Sequence, residues 1–131
     1  MALSQEQKQD IFNKAYLGLA SQGFRRSMKV LELEKGENHL CAYRGDDGLK
    51  CAIGHCIDDK NYKPSLETRG AQELEVRQAM GLKGRLNSDD RCFLGGLQGC
   101  HDYTSHADLM QDRLREFAAE YSLTVPDLPN S

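Results

Sequence analysis

Apolar residues recur at helical spacing in two long stretches of the chain. Ile11, Phe12, Ala15, Tyr16, Leu19 and Ala20 form the first stripe. Ser4 and Gln7 precede it at the separation of a capping box, and Gly23 is placed to end the helix in a left-handed conformation. Met110, Leu114, Phe117, Ala118 and Tyr121 form the second stripe, opened by Ser105 and Asp108. A third helix is predicted with Ser88 as its cap and Asp89 and Asp90 in its first turn, where carboxylates favour the positive end of the helix dipole. It places Cys92, Phe93, Gly96, Leu97, Cys100 and His101 on one side. Gly95, Gly96 and Gly99 weaken this helix while admitting a close neighbour, which predicts tight packing on a central hairpin. A fourth helical stretch runs from Ala71 to Met80 after a cap at Ser65, although Leu74-Glu75-Val76 also alternates like a strand.

The pattern changes between Met28 and Ile53. Met28 to Glu34 alternates as a short strand, Lys35 to Asn38 supplies a turn, and Leu40 to Arg44 reads as a second strand. Asp47-Gly48 suits a tight turn that requires positive φ. Leu49 to Ile53 then reads either as a third strand or as the first turn of a helix containing Cys51. The expected fold class is α+β, with about four helices packed around a small antiparallel β-hairpin or three-stranded meander. Residues 1–124 are expected to form a single globular domain, and residues 125–131 an extended C-terminal tail.

Composition narrows the class. The 39% hydrophobic and 28% charged content is that of a globular chain with one core. No apolar run approaches the ~20 residues needed to span a bilayer, and the first residues lack a basic then apolar pattern, so a cytoplasmic protein without membrane contact is expected. Five cysteines cannot all pair within the chain, and reduced, buried thiols are expected. A net charge of −3 gives no general attraction to nucleic acid and suits a basic protein partner.

Two constellations carry possible chemistry. Cys51, His55, Cys56, Cys92, Cys100, His101 and His106 supply zinc-type ligands, but no Cys-x-x-Cys pair occurs and the adjacent Cys100 and His101 diverge on a helix. Neither a metal nor a cofactor is expected. The second is a cysteine-dependent hydrolase or transferase with Cys51 as nucleophile, His101 as base, and Asp102 or Gln98 in support. No protease or amidase signature surrounds Cys51. The pairs Asp46-Asp47 and Asp58-Asp59 read as turn and cap residues.

The pattern Cys41-x-Tyr43-Arg44-Gly45, Gly48 through Gly54, Asp58 and Tyr62, followed by Leu97-Gln98-x-x-His101-Asp102, resembles small proteins of uncharacterised activity encoded by tailed phages and prophages. The resemblance covers Cys41 to Asp102. It implies a small accessory protein that binds and inhibits another protein. As a fold signature, the same residues would let Tyr43 and Arg44 pack on the helix carrying His101, with the imidazole on a hairpin carbonyl and Asp102 paired to Arg44. The expected function is a non-enzymatic protein-binding module, either an immunity protein neutralising a toxin or a phage-type inhibitor of a host protein. The expected partner surface is acidic: Glu32, Glu34, Glu37, Asp46, Asp47, Asp58 and Asp59.

Overall fold

The computed structural model describes residues 3–33, 36–71, 73–82, 86–102 and 106–128. Helix α1 (Gln5–Ser21) starts as its sequence dictates: Ser4 Oγ accepts the Gln7 amide at 3.0 Å and Gln7 Oε1 accepts the Ser4 amide at 2.8 Å. It stops at Gln22, after which Gly23 and Phe24 both take left-handed backbone (φ 70° and 55°). That conformation disfavours Phe24, but it turns the ring inward, where it packs 5.6 Å from Tyr16.

The body of the molecule is helical, and the α+β expectation is corrected. Backbone ladder β1 (Met28–Leu33) pairs antiparallel with β2 (Gly36–Cys41), Met28 opposite Cys41. The helices are not organised around it. Its principal contact is with the Asp46–Gly48 turn, whereas α1 packs on a 3₁₀ turn at Ile53–Cys56. Every described side chain of the core comes from helices, short helical turns and loops. No third strand forms among the described residues. Cys51, Ala52, Ile53 and Gly54 are all buried, so this stretch has no solvent face for an alternating strand to present and coils into one tight turn against α1 and α3 instead.

Helix α2 (Leu74–Ala79) is shorter than the predicted 71–80. A 3₁₀ segment, Pro64–Thr68, takes up the preceding chain, and its cap position is Lys63 rather than Ser65. Helix α3 (Ser88–Asp102) is capped by Asn87 rather than by the expected Ser88, which is already helical: Asn87 Oδ1 accepts the Asp90 amide at 2.8 Å. Asp90 does more than face the dipole. It is buried, and its carboxylate accepts the Leu3 amide at 2.9 Å. Helix α4 (Ala107–Glu120) follows His106, which makes no side-chain cap, while the predicted opener Ser105 lies outside the described residues.

Where α1, α3 and α4 meet, Phe93 and Phe117 lie 5.3 Å apart, Phe117 and Tyr121 4.8 Å, and Phe12 and Phe117 6.3 Å. Offset and tilted rings at these separations add to simple area burial. The described part of the expected extended tail, residues 125–128, runs along the core. Gln9 bonds both the amide and the carbonyl of Thr124 at 2.8 Å, and Val125 and Leu128 pack on the core. Residues 129–131 lie outside the described residues.

Candidate functional site

Cys51, Gln98, Asp102 and His101 do come together, in an order that serves the fold. Gln98 links the turn after the cysteine to the acid: it accepts the Ile53 amide at 3.0 Å and donates to Asp102 at 3.2 Å, while the Cys51 sulfur accepts the Gly54 amide at 3.3 Å. Asp102 in turn accepts Nδ1–H of His101 at 2.8 Å. The other imidazole nitrogen, Nε2, accepts the backbone amide of Ser27 at 2.7 Å. The nitrogen that a general base would offer to a nucleophile is therefore occupied by a main-chain donor. The acid fixes the tautomer in which this bond can form.

Neither end of this relay reaches solvent. Cys51 and His101 are both 0% exposed. Burial pushes the Cys51 thiol up to about 12, even though the Gln98 and Gly54 bonds pull the other way. A thiol held there is overwhelmingly protonated at neutral pH and is no nucleophile. The thiol of Cys56, which donates to the Ile11 carbonyl at 3.4 Å, is likewise pushed up to about 12 by burial. Among the described residues no three potential metal ligands converge.

The expected pairing of Arg44 with Asp102 is replaced by a different set of contacts. The Arg44 guanidinium donates to the carbonyls of Tyr43, Gly54 and Ile57 at 3.1, 2.7 and 2.7 Å and to Asp59 at 3.0 Å, and lies over the Tyr62 ring. The planar fork suits this, since it ties several carbonyls of a non-helical loop at once. Glu67 completes the loop by accepting the amides of Tyr43 and Arg44 at 2.9 and 3.0 Å and the Tyr62 hydroxyl at 2.5 Å. Gly54 is required because a Cβ there would overlap the Tyr43 carbonyl. The imidazole of His101 meets an amide at the start of β1, not the predicted hairpin carbonyl.

The predicted acidic surface is only partly described. Asp47 and Asp58 are exposed, and Asp47 sits in left-handed backbone (φ 62°) beside Gly48. Asp59 is also exposed, but it is neutralised: Lys50 first, then Arg44, holds its carboxyl below the usual range. Glu34 and the side chains of Glu32, Glu37 and Asp46 lie outside the described residues.

A second acidic surface escaped the sequence reading. Asp108, Asp112, Glu116 and Glu120 recur every four residues along the exposed side of α4. The four-residue spacing of these acids is itself the signal, and it runs beside the apolar stripe of the same helix. The glycines of α3 face α4 as well. Cys92, Gly95, Gly96, Gly99 and Cys100 line an open groove whose other wall is Arg113, Glu116, Phe117, Glu120 and Tyr121. They do not pack on the hairpin, and Cys92 and Gly96, expected on the buried side, are exposed.

No family model, curated protein or solved structure matches this chain. Among the described residues no helix is long and apolar enough to cross a membrane.

Proposed function

We propose that the chain is a non-enzymatic protein-binding module, acting as an immunity protein that neutralises a toxin or as a phage-type inhibitor of a host protein. The observation that carries this reading is the fate of the reactive groups: Cys51 and His101 are fully buried and their polar atoms are spent on the Gly54 amide, Asp102 and the Ser27 amide. The surface features that remain are those of recognition. Leu74 and Leu109 are each 50% exposed, a groove opens between α3 and α4, and acidic side chains line α4. The phage-type resemblance over Cys41 to Asp102 points the same way.

Affinity capture from the native cell, with the purified protein as bait and mass spectrometry of what is retained at moderate salt, tests this reading. One stoichiometric partner is expected. Alkylation at neutral pH supplies the complementary measurement, with exposed Cys92 labelled well before Cys51. An empty capture together with Cys51 reacting faster than Cys92 would overturn the module and favour a Cys51-based hydrolase or transferase.

A further inference from the structure

The groove between α3 and α4 combines three features. Glycine inside a helix costs roughly 1 kcal/mol relative to alanine, and α3 carries Gly95, Gly96 and Gly99 in the stretch 95–99. At Gly96 the position is exposed, yet an added Cβ would stand 3.1 Å from the edge of the Phe117 ring, so the close approach of α4 already favours glycine there. Leu109 is half exposed, and the helical period places it on the same face of α4 as Arg113, Glu116 and Glu120. The rim carries a small excess of acidic groups. Glu116 and Glu120 stand on α4, and the Tyr121 hydroxyl, raised above its usual range first by burial, also feels Glu120, Cys92 and Asp89. Arg113 on the rim and Lys8, whose ammonium lies 5.8 Å from the Tyr121 ring centre, are the cations that offset these carboxylates.

We propose that this groove seats a basic amphipathic helix of the partner protein. The proposal rests on the protein-binding reading and names the surface and the chemistry it would use. The low wall at Gly95, Gly96 and Gly99 would let a third helix approach closely enough to set its apolar ridge against partly exposed Tyr121 in the groove and half-exposed Leu109 elsewhere on α4. Its lysines and arginines would then reach Glu116, Glu120 and Asp89 on the two sides of that ridge. On this account the loop acids Asp47 and Asp58 are not the principal contact.

The test titrates the full isotope-labelled chain with a synthetic helical peptide carrying one leucine face and one lysine face, and separately with a glutamate version of the same peptide. Expected are amide shifts concentrated at Cys92–Gly99 and Leu109–Tyr121 with the lysine peptide and no binding of the glutamate peptide. The exposed double substitution Glu116→Lys/Glu120→Lys should weaken binding roughly tenfold or more, and Asp47→Lys/Asp58→Lys should leave it unchanged. Equal binding of both peptides, shifts centred elsewhere, or indifference to the α4 substitutions would each overturn the proposal. The same two variants used as capture baits separate the failures. A native partner retained equally by the α4 variant removes the groove and leaves the binding module standing, whereas no partner on the wild-type bait removes the module itself.

Discussion

His101 acts as a main-chain splice. One ring nitrogen holds the Ser27 amide where the chain enters β1, and the other is held by Asp102, so a single side chain joins α3 to the segment that follows α1. Removing it strands a buried amide and leaves a cavity, and His101→Ala is expected to cost about 3 kcal/mol, measured as a shift in urea midpoint at unchanged m-value. A loss below about 0.5 kcal/mol would show that the amide finds another acceptor. Arg44→Lys is expected to cost about 2 kcal/mol although charge is kept, because an ammonium cannot reproduce the planar fork that spans three carbonyls and Asp59. The sequence marked Cys51, Gln98, His101 and Asp102 as a group, and they do meet. It could not give their order, because which atom of Gln98 or His101 faces a backbone amide is decided by tertiary contacts that residue spacing does not encode.

Among the helices, α1 and α4 were legible because their apolar stripes are regular and, for α1, because the capping box is local chemistry. The centre of the chain was misread for an equally physical reason. A run of small buried residues such as Cys51-Ala52-Ile53-Gly54 has neither the two-residue nor the 3.6-residue period, and its conformation is set by what it must fit beneath. Gly18 on α1 is part of that fit, since a Cβ there would overlap the ring of His55. Gly18→Ala, which in an open helix gains about 1 kcal/mol, is therefore expected to lose 1–3 kcal/mol here (roughly the cost of overpacking). In a His55→Ala background the same substitution should regain most of that loss, and a thermodynamic cycle over the two sites reads the coupling directly. Additivity of the two changes would show that the ring moves aside without cost.

For the molecule as a whole, the protonation of His55 links packing to pH. The ring is half-buried beside Gly18, with Nε2 donating to Gln22 Oε1 at 3.0 Å. Burial first, then Lys50, Arg44 and His101, lowers its pKa from 6.5 to about 4. Between those two values the unfolded chain binds a proton that the folded chain refuses. The contribution of His55 to stability is therefore complete above about pH 6.5 and is lost as pH falls toward 4. Urea titrations at pH 7, 5.5 and 4.5 (roughly spanning this window) should show a steep decline for the wild type and a shallower one for His55→Gln. Parallel declines would place the acid sensitivity elsewhere.

The pairing of Gln5 and Gln9 with residues 121–124 bridges sequence separations of 115–117 residues. During synthesis the first helix leaves the ribosome long before the turn after α4 that its glutamines hold, and Phe12 must likewise wait for the ring of Phe117. Nearly the whole chain must be free of the exit tunnel before the core can close. A nascent chain stalled short of α4 would thus display the apolar stripe of α1 to chaperones and proteases, and the finished protein would fold as one late, cooperative event.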